Sequence, residues 1–239
     1  HVERLPVGDE DVKGTYDRFA RCTHGALIRN DFEWMEYWRW ENEEERTAAV
    51  YYDAKDIPQG FLLYWVEEDV FHIREMVYLT QEARKGLWNF IRAHYSMIDA
   101  VKGHIYTGEP LAFLLDESQI QETIEPYFMA RIVDVAQFLR LYPFEGSIRP
   151  FHFVVTDPMA EWNNGIFSVA TDREGTVSVT DEPAGKAVEL DIQTLSAMLM
   201  GYKRPDYLAK IGRLPTSEAT IDMLEDAIEQ QTPYISDYF

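Results

Sequence analysis

Phe71-His72-Ile73-Arg74-Glu75-Met76-Val77-Tyr78-Leu79 runs without a break into Thr80-Gln81-Glu82-Ala83-Arg84-Lys85-Gly86-Leu87-Trp88. This stretch decides the fold, because it reads as a strand from Val70 to Leu79 that turns directly into a helix. Thr80 supplies the N-cap, and Leu87, Ile91 and Tyr95 share one face of a helix from Gln81 to about Tyr95. Arg84 and Gly86 lie at the helix start, where glycines and bare amides suit a phosphate.

Outward from this pivot, two earlier strands span Thr47 to Tyr52 and Gly60 to Glu67, with Pro58-Gln59-Gly60 and Glu67-Glu68-Asp69 as turns. Before them come a strand remnant and turn over residues 1–8 and a helix from Asp9 to Arg21 carrying Val12, Tyr16 and Phe19 on one face. A second helix, Phe32 to Trp40, is crowded with Trp34, Tyr37, Trp38 and Trp40. The shared face of Trp34 and Trp38 suits packing on a sheet, an oligomer neighbour or a ligand platform. The run Glu41-Asn42-Glu43-Glu44-Glu45 reads as a solvated loop.

After the pivot we expect a strand near His104 to Tyr106, a turn at Gly108-Glu109-Pro110, an apolar segment Leu111 to Leu115 and a strand from about Thr123 to Ile132. This order describes an α/β layer on a mixed sheet. Rhythm changes between Tyr127 and Val133, which divides the chain into residues 1–130 and 131–239. In the second part Asp134 opens a helix stopped by Pro143, and short strands follow at Phe151 to Thr156, Gly165 to Ala170, Thr176 to Val179 and Lys186 to Leu190. Asn163-Asn164-Gly165 and Glu174-Gly175 are the turn signals. Helices then start at Asp191, at Pro205 and at Thr216 or Ser217, so a meander followed by helices makes this an α+β domain.

The chain carries 42 acidic against 22 basic side chains, a formal charge of −20. That balance argues against nucleic acid as a partner and favours cationic small molecules such as polyamines or aminoglycosides. No apolar run approaches the roughly 18 residues of a membrane span, and no apolar leader follows His1. The single cysteine, Cys22, suits a reducing cytoplasm. His24, His72, His94, His104 and His152 lack metal-ligand spacing, so no metal is expected. Neither G-x-S-x-G nor a phosphate-binding glycine motif occurs.

The tail Gln230-Gln231-Thr232-Pro233-Tyr234-Ile235-Ser236-Asp237-Tyr238-Phe239 passes a proline that ends the preceding helix and finishes in aromatics and an isoleucine. Such a tail is expected to dock on the body of the protein. It then either seals a core or carries the Phe239 carboxylate inward, where burial raises its pKa and suits it to act as a general base.

These residues carry two resemblances. The turn at Thr80 to Gly86 is similar to the one with which GNAT acetyltransferases grip the coenzyme A pyrophosphate, patterned R/Q-x-x-G-x-G/A. Here Arg84 stands three residues after Gln81 where the pattern has glycine, Gly86 is the turn's single glycine, and Glu82 is negative where a pyrophosphate lies. The expectation is a GNAT skeleton with a decayed cofactor motif. Together with Gly25-Ala26-Leu27-Ile28-Arg29, Met129-Ala130-Arg131-Ile132-Val133-Asp134-Val135, Asp157-Pro158 leading to Trp162-Asn163-Asn164-Gly165, and Asp237-Tyr238-Phe239, the whole chain resembles the enhanced intracellular survival (Eis) N-acetyltransferases.

That resemblance implies a GNAT-like mixed sheet with flanking helices over 1–130, then a sterol-carrier-protein-like α+β domain over 131–239 with the tail docked. It also implies a missing N-terminal GNAT domain that holds acetyl-CoA and the general-acid tyrosine. Phe239 then takes the role of general base, Tyr238 and Asp237 contact a cationic amine substrate, and this chain alone binds no acetyl-CoA. Other readings are a lipid-binding module under the helices Ile192 to Met200 and Ile221 to Ile228, or an element that builds a homo-oligomer through the aromatics of 34–40.

Overall fold

A computed structural model describes residues 1–38, 46–105, 109, 111–115, 119–125, 127–146, 148–172 and 175–237. Phe239, Tyr238, Trp40, the acidic run 41–45, Tyr106, most of the turn at 108–110 and Glu174 lie outside the described residues. The chain forms two compact units. One is His1–Leu114 joined by the tail from Pro233, and the other is Leu115–Thr232. The tail, grouped with the second domain on sequence grounds, packs with the first unit.

The first unit runs β1 (Val2–Leu5), α1 (Glu10–Ala20), α2 (Asp31–Trp38), β2 (Thr47–Tyr52), β3 (Pro58–Glu67), β4 (Val70–Tyr78), α3 (Gln81–Arg92), β5 (Ala100–Gly103) and α4 (Leu111–Leu114). Its sheet has the order β1-β2-β3-β4-β5, antiparallel except for the parallel pairing of β4 with β5 across α3. Glu68 and Asp69 both take positive φ, the twist a two-residue hairpin needs, between β3 and β4. On one face Val12, Tyr16, Trp34 and Tyr37 of α1 and α2 cover Val50, Phe61, Leu63 and Val77. On the other, Leu87 and Ile91 of α3 cover Leu62, Tyr64, Phe71 and Ile73.

Strict alternation along β4 would send Phe71, Ile73, Glu75 and Val77 to one side. A register shift prevents this. Leu63 faces Glu75 while the next residue, Tyr64, faces Ile73, so Arg74 is an extra residue in the ladder. This bulge leaves Phe71 and Ile73 under α3 but turns Glu75 and Val77 to the side of α1 and α2.

Several sequence expectations need correction. The strand placed near His104 is instead Ala100–Gly103, held by parallel bonding to Val70–Ile73. No strand spans Thr123 to Ile132: Ile124 and Met129 are fully exposed there, and the described residues of that segment find no ladder partner. Trp34, by contrast, packs on the sheet as one of the expected alternatives had it, while the side chain of Trp38 lies outside the described residues.

The second unit contains α5 (Val135–Leu141), β6 (Phe151–Thr156), β7 (Gly165–Thr171), β8 (Val177–Thr180), β9 (Lys186–Asp191), α6 (Ile192–Leu199), α7 (Pro205–Lys210) and α8 (Glu218–Ala227). Its sheet order is β8-β7-β6-β9, with β9 parallel to β6, so the expected meander is closed by a crossover strand. Asp134 and Asp191 cap their helices by accepting from Gln137 N and Thr194 N, and Gly201 stops α6 at φ 75°. The apolar faces of α6 and α8, including Leu195, Leu199 and Leu224, are buried in one core with Ile228, Phe151 and Phe153.

Gly86, the glycine of the supposed phosphate turn, has a packing role. A Cβ there would collide with Cδ2 and Cε2 of the Tyr51 ring, across the seam between α3 and β2. Gly86→Ala is therefore expected to cost about 1–3 kcal/mol through overpacking. Urea unfolding followed by circular dichroism checks this, as a lower midpoint at unchanged slope.

Candidate functional site

Arg29 lies in the loop between α1 and α2, with its side chain wholly withdrawn from solvent. Its guanidinium carbon sits 3.7 Å from the centre of the Tyr16 ring, 4.0 Å from that of Tyr37 and 4.6 Å from that of Trp34. Rings at these distances attract a cation through their π faces. The helices bring them there because Tyr16, Trp34 and Tyr37 are the inward aromatics of α1 and α2. Tyr16 also donates from its hydroxyl to Leu27 O at 3.0 Å, which pins the loop carrying Arg29.

Rings alone do not neutralise a buried cation, and two carboxylates complete the site. Arg29 Nε donates to Asp237 Oδ1 at 2.7 Å and Nη2 to Oδ2 at 3.2 Å, a two-point fork. Nη1 and Nη2 donate to Glu75 Oε2 and Oε1, both at 3.3 Å. Glu75 also accepts from Tyr37 Oη at 3.1 Å, from Tyr234 Oη at 2.7 Å and from the Ser236 hydroxyl. Ser236 in turn accepts from Arg29 Nη2 at 3.0 Å.

The electrostatics follow from this geometry. Burial alone would push the Glu75 carboxyl up, but Arg29 and the hydroxyls of Ser236 and Tyr234 outweigh it and hold the group below its ordinary value. Arg29 would be driven towards neutrality by burial, yet Glu75 and Asp237 raise it further above its already high value. Burial and the carboxylate of Glu75 raise the Tyr37 phenol well above its usual value, so it keeps the proton it donates.

The tail is thereby fixed. Tyr234 is buried, its ring meets Phe19 edge-on at 5.0 Å, and its backbone N donates to His24 O at 2.9 Å. Gly25 takes φ 76° beside Pro233, where a side chain would be strained by the backbone conformation. Of the residues singled out from sequence, Asp237 joins this site with its carboxylate turned inward to Arg29. Phe239 and Tyr238 lie outside the described residues, two positions and one position beyond it. Sequence reasoning missed Arg29 and Glu75. A lone acid within the alternating run Phe71, Ile73, Glu75, Val77 was the available signal.

The other Eis-like stretches meet in the second unit. Asp157 accepts from Asn163 Nδ2 at 2.9 Å, from Met159 N and Ala160 N, and from Arg131. Asn163 Oδ1 accepts from Val135 N at 3.0 Å, while Asn163 Nδ2 and Trp162 Nε1 both donate to Val133 O. These bonds explain why Asn163-Asn164-Gly165 is not the tight hairpin expected: the two asparagines lock a longer β6–β7 connection that includes a short helical turn at Glu161–Asn163. Hydrogen bonding by Asn163, with the amides of Met159 and Ala160 and the charge of Arg131, holds the Asp157 carboxyl below its usual value.

At the start of α3, Thr80 Oγ1 accepts from Ala83 N at 3.1 Å, and Arg84 Nη2 pairs with Glu109 at 3.1 Å. Among the described residues, no group of three or more His, Cys, Asp or Glu side chains is placed to hold a metal ion. Nor is any helix there long and apolar enough to cross a membrane.

Comparison with known proteins gives two consecutive matches, whose limits differ from those of the two compact units. Residues 25–132 match the acetyltransferase (GNAT) domain family, and residues 135–236 match the sterol carrier protein domain. The N-acetyltransferase Eis of Mycobacterium tuberculosis is 22% identical over 220 residues, which is 88% of this chain and 52% of that protein. The chain is Eis-like: a GNAT domain followed by a sterol carrier protein domain. Among solved structures, a probable N-acyltransferase from Enterococcus faecalis V583 is 30% identical with a TM-score of 0.89, covering 100% of this chain and 62% of its own. A GCN5-related N-acetyltransferase from Anabaena variabilis ATCC 29413 is 26% identical with a TM-score of 0.85, at the same coverage of 100% and 62%. This Eis-like chain thus spans about half the length of the curated relatives it matches.

Two outcomes are expected for the buried cluster. Arg29→Met leaves Glu75 and Asp237 without their guanidinium and is expected to destabilise the first unit by about 3–5 kcal/mol, read from urea unfolding. Because the Glu75 carboxyl is depressed in the folded state, its contribution is complete above its unfolded value and is lost as pH falls through the folded one. Unfolding midpoints measured from pH 7 down to pH 3 are expected to drop on the acid side, and Glu75→Gln to flatten that drop.

Proposed function

We propose that this chain is the substrate-side portion of an Eis-like enzyme that moves an acetyl group from acetyl-CoA to a primary amine, with the Phe239 α-carboxylate as general base. The observation that carries the reading is the anchoring of the tail at Tyr234, Ser236 and Asp237 on Arg29 and Glu75. Chain tails are ordinarily loose, and this one is tied down as far as Asp237 by a buried ion cluster. The relatives named as N-acetyltransferases support the reaction class.

An amine attacks a thioester only after losing a proton. A fixed carboxylate that takes this proton contributes typically about 10²–10⁴-fold in rate. The acceptor is a cationic amine such as an aminoglycoside, a polyamine or a lysine-like side chain, drawn in by the charge of −20. Tyr238 and Asp237 precede the base in sequence. Since the Asp237 carboxylate is bonded to Arg29, substrate contact falls in this reading to Tyr238, and Asp237 acts by holding the tail.

Acetyl-CoA fits the start of α3 poorly. Thr80 already caps an amide there, Arg84 is paired with Glu109, Glu82 is an exposed acid and Gly86 is packed against Tyr51. We therefore assign acetyl-CoA and the general acid to a further GNAT domain outside this chain. The domain limits 1–130 and 131–239 remain our functional division, with the tail serving the first. A homo-oligomer in the cytoplasm is the proposed setting, with exposed Phe32 and Met35 of α2 as its apolar contacts.

The test is amine acetylation by the whole enzyme containing this chain, ending at Phe239, against variants lacking Phe239 or extended by two glycines. Turnover is expected to fall about 10²–10⁴-fold in both variants, with the melting temperature unchanged. Full turnover in either variant would refute the general-base role.

A further inference from the structure

The same cluster assigns a role to residues on no conventional catalytic position. Residues 233–237 adopt no helix or strand, so no ladder of backbone bonds holds them. Apart from one backbone bond, from Tyr234 N to His24 O, their place is set by side chains, and the two that receive them are rigid for separate reasons. The Arg29 guanidinium lies among three rings, which stops it from swinging. Glu75 sits on a central strand of the sheet and is aimed by the Arg74 bulge.

The contact itself sets direction as well as distance. A planar guanidinium donating through Nε and Nη2 to both oxygens of Asp237 fixes the carboxylate plane, which a lysine ammonium does not do. One residue earlier, Ser236 bridges Arg29 and Glu75, and two residues before that the Tyr234 hydroxyl reaches Glu75. Three points over four residues leave that segment little freedom to slide or roll.

We propose that Arg29 and Glu75 are positioning residues for the chain's terminal residues. By gripping Asp237 and Ser236 they confine the Phe239 carboxylate to the reach of two residues, about 7 Å. The inference rests on the general-base reading for its catalytic consequence, but the grip is measurable without it. In this proposal Arg29 and Glu75 act through the tail and not on the reacting atoms.

Hydrogen exchange and turnover, measured on the same whole enzyme, test this. The variants are Asp237→Asn, which keeps shape and loses charge, Arg29→Lys, which keeps charge and loses the fork, and Asp237→Glu as the conservative control. Loss of a charge-assisted bond is expected to speed exchange in the peptide covering 232–239 by about tenfold or more, well beyond any change in β2, β3 and β4. Asp237→Glu is expected to restore part of the protection. Turnover is expected to fall in step with lost protection, with the KM for acetyl-CoA unchanged. Tail exchange that stays at the wild-type rate in both Asp237→Asn and Arg29→Lys overturns the proposal, as does faster exchange spread evenly over the sheet. Faster tail exchange with full turnover upholds the positioning and rejects the general-base role instead.

Discussion

A guanidinium taken out of water is among the most expensive things a protein can bury. It persists only where carboxylates and hydrogen bonds neutralise it. Arg29 meets that condition with partners from distant parts of the chain: Glu75 from the fourth strand, Asp237 and Ser236 from the tail, and the ring faces of Tyr16, Trp34 and Tyr37. Each partner needs the others. Without Arg29 the two acids repel, and without the tail the cation has half its countercharge. The cluster therefore converts a loose segment into part of the first unit's core, which a purely apolar tail could do only without fixing its rotation.

Such a cluster is a poor source of net stability, since apolar side chains of equal volume often do as well. Its advantage is geometric. Directional bonds at Tyr234, Ser236 and Asp237 define one conformation of the tail. An apolar plug of Tyr234 and Ile235 alone would tolerate several. The bulge at Arg74 belongs to the same arrangement, because without that extra residue Glu75 would point under α3 and the cluster could not assemble. In the second unit, Asp157, Asn163 and Asn164 play a comparable part for the β6–β7 connection, where amide side chains replace a missing ladder.

Much of the fold was legible because it rests on local rules. The strands of β2, β3, β4, β6 and β9 and the helices capped by Asp134 and Asp191 follow from alternation, periodicity and side-chain caps. The Eis-like stretches were legible as patterns, and the structure shows what several of them do: Gly25 and Arg29 meet the tail, while Arg131, Asp157 and Asn163 form one network. What escaped was non-local. No periodicity announces a one-residue bulge, so the side of the sheet to which Glu75 belongs was hidden. Residues 123–132 read as a strand because they are apolar, but a strand exists only where a neighbour accepts its bonds. Likewise Trp34 was legible as a packing aromatic, but not as one that meets Arg29.

The central claim is that Arg29 and Asp237 interact directly and set the tail. A double-mutant cycle on Arg29→Met and Asp237→Asn, read by urea unfolding, measures that interaction most directly. The account predicts a coupling of roughly 1.5 kcal/mol or more, as close buried charge pairs show. Single and double variants whose effects simply add, within about 0.5 kcal/mol, would contradict it.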